Sequence, residues 1–551
     1  MRLISDIDRL ERLYGFHPVR QLLAPGIRLD EPKMVTPIVA ETRHGRFLLG
    51  REQETGNLRA HGVPDAELRR FEPYVSFDNM VTGSAAEASL ADAVASLAGN
   101  DTVTVEADLP YGRYLQLADA FGPRLTVDAP PEPADAAVVV HRVPARDVLA
   151  RFRRHREAAV PVALRVLESR PHLIDLKDAL DPGTDTRFAA LDALLGGLGA
   201  TAVLCAAPPN IGELTGLPAY AGARVLWVRG ADELFLLTPA ARHEAGERPA
   251  GRYRSTVEAV RDLAGTGALA VDEGWLDVAS ARALHTGGVP LVAASRALSG
   301  WREGRDGEDL ASALVIAQAS RYCIEGAIAD AERWLDDGRT PTELDVYRRY
   351  LDLIHDFREE YQAGFSIRPF FANCHAADRT IYPALPTAHP LTAATKSLKL
   401  DSGLKIVVGG VVMATSDVAR TLVRSDEGRE AYALFTKIVR EDVIANLRPG
   451  MTGTEVHRGC MDRVLDHRDR LIGLGLMPEG IDLHAEYGKR NVGHLMGKQE
   501  SFTNEFRPGD DYRLSIGSIG AVEIQWPYRD HSIAAEDLWY VGRDRTYVTS
   551  A

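Results

Sequence analysis

The chain has 551 residues, of which 45% are hydrophobic and 26% are charged, and its formal net charge is −14. This length predicts about two to four domains, and the composition is that of a folded protein in water. The acidic balance argues against nucleic acid as a partner, because neutralising phosphates needs a basic face. No stretch approaches the roughly 18 apolar residues of a membrane span, and the start lacks the apolar segment of a signal peptide. We therefore expect no membrane partner and a cytoplasmic location.

The four cysteines and one basic run are predicted to have structural roles. Four widely spaced cysteines form no paired motif, and we predict reduced, mostly buried thiols at Cys205, Cys323, Cys374 and Cys460. The densest basic run, RFRRHR at 151–156, is interpreted as the solvated face of a helix.

The first half of the chain alternates apolar runs with helical patterns, which is typical of α/β domains. Residues 1–130 are predicted to form one such domain, and the Pro/Ala/Asp-rich stretch at 128–137 marks its end. Residues 131–184 are predicted to be a linker with helical character. Residues 185–298 repeat the α/β pattern more clearly, with an amphipathic helix, a buried strand and two further strands. The similar order suggests a duplicated domain.

The last part of the chain, residues 299–551, opens with helices and changes to strands near residue 397. Two β-branched runs flank Gly409-Gly410, which predicts a hairpin. Asp401 and Asp417 are centred on residue 409, so the hairpin should place them side by side on adjacent strands. Two carboxylates that close repel each other unless a cation lies between them.

A second hairpin is predicted around Pro527 to Asp530, between two strand-like runs. Glu523 and Glu536 are centred on this turn and should face each other across the strands. Both lie among apolar residues, where an uncompensated charge is costly to bury. Metal ligation is therefore favoured over a solvated surface position for the pair.

His494 lies between the two hairpins in the sequence RNVGHLMG and completes a set of four carboxylates and one imidazole. Such a set suits Mn²⁺, Fe²⁺, Co²⁺ or Zn²⁺. Bridging carboxylates typically hold two ions about 3.5–4 Å apart, which generate a hydroxide nucleophile and polarise a carbonyl. We predict two divalent ions, with Mn²⁺ as the first choice.

At these residues the chain resembles the pita-bread metallopeptidases, which include aminopeptidase P, methionine aminopeptidase, prolidase and creatinase. That family orders its ligands as Asp, Asp, His, Glu and Glu, and the matching positions here are Asp401, Asp417, His494, Glu523 and Glu536. Further similarities lie at 416–423, 448–457 and 534–541, and NIGELTGLP at 210–218 resembles a strand-turn of the creatinase N-terminal domain.

The resemblance implies an α/β (α+β) protein with a C-terminal pita-bread catalytic domain and two creatinase N-terminal-like α/β domains, the first of them degenerate. This arrangement is similar to the three-domain aminopeptidases P. It also implies a homodimer and a short-peptide or small-molecule substrate. In the implied mechanism Glu523 moves a proton, and His375 or His389 stabilises the oxyanion or the leaving group.

Several positions depart from the family pattern. The first hairpin is longer than usual, the two glutamates are closer together than in aminopeptidase P, and Glu523-Ile524-Gln525 stands in place of the usual Glu-Pro-Gly around the fourth ligand. Ala534 stands where an arginine is common, and Ser501 where a second histidine is expected. Arg490 replaces a histidine and could bind a substrate carboxylate or phosphate, or form a structural ion pair. His375 is a second candidate for substrate binding.

The retained ligands with an altered surround predict a specialised metal-dependent hydrolase of a C–N bond, resembling Xaa-Pro aminopeptidase. The main alternative keeps the fold and changes the reaction, as in a creatinase-like amidinohydrolase or a lyase. A non-catalytic binding protein on the same fold is a third possibility, which the retention of all five ligands disfavours.

Overall fold

The computed structural model describes residues 1–551 apart from 28–31, 75–83, 129–136, 182–183, 241–250, 304–307, 378, 380–382, 488–489, 499 and 529–530. Three sheet-based domains follow one another along the chain. Within the described ranges, no helix is both long enough and apolar enough to cross a membrane. All four cysteines are free and buried, which confirms the prediction made for them.

The first domain has a mixed sheet with helices on both faces. Its strands are β1 (Arg2–Ile4), β2 (Ile38–Thr42), β3 (Gly45–Arg51), β4 (Leu68–Phe71), β5 (Val103–Val105) and β6 (Leu125–Val127). Its helices are α1 (Ile7–Tyr14), α2 (Leu23–Ile27), α3 (Pro32–Val35), α4 (Thr55–Ala60), α5 (Leu90–Ala98) and α6 (Tyr111–Phe121), with 3₁₀ turns at Glu52–Glu54 and Gly122–Arg124. Alternate residues point to opposite faces, so Leu3 packs in the core that contains α5, and Ile4 in the core that contains α1.

The second domain is built on a larger mixed sheet. Its strands are β7 (Val138–Pro144), β8 (Ala202–Cys205), β9 (Arg224–Val228), β10 (Glu233–Pro239), β11 (Gly251–Tyr253), β12 (Leu269–Val271) and β13 (Leu291–Ala293). Its helices are α7 (Ala145–Glu168), α8 (Arg187–Gly197), α9 (Pro208–Thr215), α10 (Thr256–Ala264), α11 (Val278–Thr286) and α12 (Ser295–Glu303), with a 3₁₀ helix at Pro171–Ala179.

The two sheets share one topology over five strands. In the first domain these strands lie in the order β3-β2-β1-β5-β6, and in the second in the order β10-β9-β8-β12-β13. The first two pairings are antiparallel and the last two parallel in both domains. This agreement supports the suggested duplication.

The segment 131–184, expected to be a linker, belongs instead to the second domain. Its strand β7 pairs with β10 along its whole length, and Val138 and Val140 lie in the core of the second sheet. The boundary near residue 130 is therefore followed directly by a structural strand. The Pro/Ala/Asp-rich composition before it concealed this, because the apolar run of β7 is short.

The C-terminal domain starts with two long helices and continues with two sheets. Its helices are α13 (Leu310–Asp336), α14 (Glu343–Glu360), α15 (Asp426–Lys437), α16 (Gly453–Leu465), α17 (Arg468–Gly473) and α18 (Leu483–Tyr487), with a π turn at Ile438–Val443 and a 3₁₀ turn at Ile444–Asn446. Its strands are β14 (Ser366–Ala376), β15 (Ser397–Val408), β16 (Val411–Thr415), β17 (Val418–Val423), β18 (Gly493–Met496), β19 (Glu500–Glu505), β20 (Ile519–Tyr528), β21 (His531–Val541) and β22 (Thr546–Val548).

The two sheets of this domain meet at β17 and β21. The first sheet runs β14-β15-β16, with β17 also paired to β15, and the second runs β19-β18-β20-β21-β22. The Thr421 hydroxyl donates to the Ala534 carbonyl and accepts from the Ala534 amide, at 2.9 Å each. The fully buried Ala534 thus lies at the junction of the two sheets.

A buried ion cluster ties the second domain to the start of α13. Arg156 on α7 donates to Asp309 at 2.8 Å, to Asp185 at 3.0 Å and to Glu308 at 2.7 Å. Its side chain is only 3% exposed. The basic run at 151–156 is therefore a solvated face only in part, since Arg153 and Arg154 are exposed but Arg156 is not.

This cluster predicts that acid destabilises the protein. Burial alone would raise the pKa of Asp185, but Arg187 and Arg156 lower it below its usual value. A lowered folded-state pKa gives stability that is complete above the unfolded pKa of about 3.9 and is lost as the pH falls below it. We expect Asp185→Asn to lower the thermal unfolding midpoint by a few degrees at pH 7. The difference in unfolding midpoint between this variant and wild type should narrow as the pH falls below about 4. A difference that stays constant with pH would show that Asp185 is not an ionised partner in the cluster.

Candidate metal centre

The first hairpin forms at the predicted turn but with a different register. Gly409 and Gly410 have φ values of 59° and 84°, which suits a tight type I′ turn. The turn is centred between Gly409 and Gly410, and one β-bulge lies between Ile406 and Val407, so Asp401 pairs with Ala419 instead of Asp417. Asp417 itself lies in the short break between β16 and β17, two residues before the partner of Asp401. The two aspartates are therefore not directly opposite, but both line the same cavity.

The second hairpin has the predicted register. Glu523 on β20 lies directly opposite Glu536 on β21. His494 on β18 pairs with Ala521, which is two residues before Glu523 on the same strand. Because alternate residues share a face, His494 and both glutamates lie on the same side of this sheet.

Three of the predicted ligands converge on one point. One ligand atom from each of Asp417, His494 and Glu536 lies within 4.8 Å of the others, and all three residues are buried. The Nδ1 of His494 is 3.0 Å from the Leu495 carbonyl, which leaves Nε2 facing Asp417 Oδ2 at 3.8 Å. Two buried carboxylates beside an imidazole form a donor set that fits a divalent ion, because the ion offsets the repulsion between the carboxylates.

The other two carboxylates are held by neighbouring side chains. Asn373 and Gln525 donate their amides to Asp401 Oδ2 at 3.0 and 3.1 Å, and Gln525 also donates to Glu523 Oε2 at 2.8 Å. Lys399 Nζ donates to Gln525 Oε1 at 3.2 Å. These amides fix the orientation of both carboxylates, as partners behind a metal ligand do.

Burial and charge shift the pKa values of Asp401 and Lys399 on β15 in opposite directions. Burial raises the pKa of Asp401, and Lys399 counteracts this. Burial lowers the pKa of Lys399 to about 8, and the charge of Asp401 counteracts that shift. The cluster thus combines four carboxylates with a buried cation two residues from the first of them.

A cavity of about 460 Å³ opens above the carboxylates. Its floor includes Asp401, Asp417, Glu523 and Glu536, and one of its walls comes from the first domain, with Tyr74 among the lining residues. Arg490 also lines it, with Nη2 3.7 Å from Glu523 Oε2. The predicted substrate-binding arginine therefore lies beside the predicted ligands.

The two predicted histidines upstream of Asp401 are placed differently. His375 lies on β14 opposite Lys399, on the same face as Asn373, but it is not among the described residues that line the cavity. Burial holds its pKa well below the usual value, so its ring is neutral, and Nδ1 is 3.2 Å from the Ala384 carbonyl.

His389 lies outside the cavity, at the start of α14. Its carbonyl accepts from the Glu343 amide at 3.1 Å, and its amide donates to Thr387 Oγ1 at 3.2 Å. The buried Glu343 carboxylate also accepts from Ala376 and Thr387. The chain around His389 is thus organised by Glu343 and not by the metal centre. The side chain of Ser501, noted as a departure from the family, lies outside the described part.

Sequence reasoning missed four residues that shape this centre: Tyr74, Asn373, Lys399 and, as a donor, Gln525. Lys399 carried a signal, because a lysine two residues before Asp401 in an apolar strand shares its face. No sequence signal pointed to Tyr74, because it lies in another domain.

Comparisons with known proteins show which family model and which folds this chain is similar to. Residues 316–543 match the model of metallopeptidase family M24. The X-prolyl aminopeptidase of Caenorhabditis elegans, described as a cytosolic enzyme with a di-nuclear active site, superposes with a TM-score of 0.58 at 13% identity, covering 97% of this chain and 80% of its own. A search of curated protein sequences gave no match.

Two further structures each match about two thirds of this chain. The prolidase of Pyrococcus horikoshii has a TM-score of 0.52 at 15% identity, covering 67% of this chain and 98% of its own. Dipeptidase PepE of Mycobacterium ulcerans has a TM-score of 0.51 at 18% identity, covering 66% and 95%. The predicted fold is confirmed: a mixed α/β chain with a C-terminal pita-bread domain and aminopeptidase P-like neighbours over nearly its whole length.

Proposed function

We propose that the protein is a metal-dependent hydrolase that cleaves a C–N bond in a short peptide or an amino-acid-like molecule, as the match of residues 316–543 to the model of metallopeptidase family M24 suggests. The observation that carries this proposal is the convergence of Asp417, His494 and Glu536, of which Asp417 and Glu536 line a cavity. The family match alone would not require these groups to meet.

The proposed ligands are those expected from the sequence, listed as Asp401, Asp417, His494, Glu523 and Glu536. We propose that they hold two divalent ions, with Mn²⁺ first and Fe²⁺, Co²⁺ or Zn²⁺ compatible. When bound, such ions lower the pKa of a water and polarise a carbonyl. Glu523, oriented by the Gln525 amide, is positioned to accept the proton of the attacking water.

The surrounding residues select and orient the substrate. Arg490 lies above Glu523 and offers N–H donors for a carboxylate. Asn373 lines the cavity and holds Asp401. His375, two residues further along the same strand, faces the Ala384 carbonyl instead of the cavity. His389 has no part in the proposal. A cavity of about 460 Å³ suits a molecule of dipeptide size.

A second candidate is a small-molecule enzyme on the same fold, such as an amidinohydrolase or a lyase. The observation that favours it is the group of polar side chains formed by Lys399, Gln525 and Arg490 beside the carboxylates. Gln525 and Arg490 are departures from the family pattern, so this cavity would bind a different substrate. Homodimer formation and the cytoplasmic location stay predictions.

Metal analysis followed by a substrate panel tests the proposal. The purified full chain should retain divalent ions after gel filtration, and a panel of Xaa-Pro dipeptides should be hydrolysed with Mn²⁺ but not after chelation. Protein without bound ions even after incubation with Mn²⁺ would exclude the metal-dependent proposal. Bound ions with no cleavage anywhere in the panel would move the assignment to the small-molecule enzyme.

A further inference from the structure

The first domain is fixed against the C-terminal domain beside the cavity. Leu23 on α2 packs against Phe370 and Phe371 on β14. Asn57 accepts from the Leu385 amide at 3.0 Å through its side-chain oxygen. An apolar contact and a hydrogen bond from two separate elements hold this wall of the cavity in place.

Tyr74 projects from this wall and is anchored by a buried carboxylate. The Tyr74 amide donates to Glu52 Oε2 at 2.6 Å, and the Ser84 hydroxyl donates to the same oxygen at 2.6 Å. Glu52 is 1% exposed. The backbone at Tyr74 is therefore fixed by an interaction inside the first domain.

The Tyr74 side chain meets Arg490 from the C-terminal domain. Its hydroxyl accepts from Arg490 Nη1 at 3.2 Å, and its ring centroid lies 5.2 Å from the guanidinium carbon. The other terminal nitrogen, Nη2, is 3.7 Å from Glu523 Oε2, which is longer than a hydrogen bond. Tyr74 thus holds the guanidinium near Glu523 without a tight ion pair between them.

The distance between Glu523 and Arg490 determines whether each side chain can bind a separate partner. A close ion pair would occupy the Glu523 carboxylate and also consume the arginine's donors. Held at its present distance, Arg490 leaves Glu523 available as a ligand. Its planar donors are then available for a carboxylate in the cavity, which a guanidinium binds in bidentate geometry.

We propose that Tyr74 is a positioning residue, supplied by the first domain, that holds Arg490 in place to bind the free carboxylate of a short substrate. This inference rests on the proposed function, since it names the substrate class of the same cavity. It gives the first domain a direct role in specificity.

Equilibrium binding separates this inference from turnover. The probes are a dipeptide analogue with a reduced peptide bond, which cannot be hydrolysed, and its C-terminal carboxamide. Calorimetry on the Mn²⁺-loaded full chain should show that the acid binds about tenfold more tightly than the amide, as expected for one charge-assisted interaction. In Tyr74→Phe and Arg490→Gln this preference should fall to about twofold or less, with unchanged metal content.

Tyr220→Phe is the matched control, because Tyr220 is 61% exposed and is not among the described residues of the cavity wall. It should keep the wild-type preference. The inference is overturned if wild type does not distinguish the two probes, or if Tyr74→Phe retains the full preference. A preserved acid preference in a protein that hydrolyses no dipeptide would support the inference while removing the peptidase assignment.

Discussion

Replacing His494 by alanine should lower metal affinity by more than a hundredfold and reduce hydrolysis to background. His494 is 1% exposed and supplies the only imidazole of the convergent group found among the described residues. Loss of a residue that merely orients a ligand typically costs 10–100-fold in affinity, so loss of a ligand should cost more. Without the ring, Asp417 and Glu536 remain buried carboxylates with one donor fewer to share an ion.

Metal content after dialysis and calorimetric titration with Mn²⁺ measure this effect. His484→Ala is the matched control, because His484 lies on the surface helix α18 with a side chain 44% exposed. That variant should bind metal as wild type does. Wild-type metal content in His494→Ala would remove His494 from the ligand set.

Replacing Arg156 by methionine should strongly destabilise the junction of the second and C-terminal domains. The substitution removes the buried cation that Asp309, Asp185 and Glu308 share. Asp185 keeps Arg187 and Asp309 keeps Lys498, so the loss is largest at Glu308 and at the contact between the two domains. Breaking a buried ion pair by removing one partner costs about 3–5 kcal/mol. We expect the first thermal transition measured by calorimetry to fall by roughly 5 °C or more.

The control for this prediction lies on the same helix. Arg153 pairs with Glu157 at 2.9 Å, but its side chain is 78% exposed. Surface pairs of this kind contribute about 0–1 kcal/mol. Arg153→Met should therefore unfold at the wild-type temperature within about 1–2 °C, and equal shifts in the two variants would show that the buried cluster contributes little.

The correct predictions rest on rules that relate residues close together in the sequence. The spacing of Glu523 and Glu536 around one turn determines which residues face each other, and the structure has that pairing. The same argument for Asp401 and Asp417 was off by two residues. One residue comes from the turn being centred between Gly409 and Gly410, and the other from a β-bulge, which has no clear sequence signal. Both aspartates still line the same cavity.

What could not be predicted depends on contacts between distant parts of the chain. Arg490 was a candidate for either substrate binding or an ion pair, and only the fold shows that Tyr74, 416 residues away, holds it. Arg156 was assigned to a solvated run because its partners lie outside the local pattern. A helical segment shows which residues share a face, but not which neighbouring domain will cover that face.

The tip of the first hairpin limits the changes in length that this hairpin can tolerate. A Cβ atom at Gly409 would lie 2.6 Å from the His155 ring, and one at Gly410 would lie 2.9 Å from Pro218, both in the second domain. Hairpin tips usually tolerate insertions and labels. Here the tip packs closely against the second domain, so an added residue would push the two domains apart. It would also displace Asp401 on β15 and Asp417, which lies between β16 and β17. Length changes in this hairpin should therefore require matching changes in the second domain.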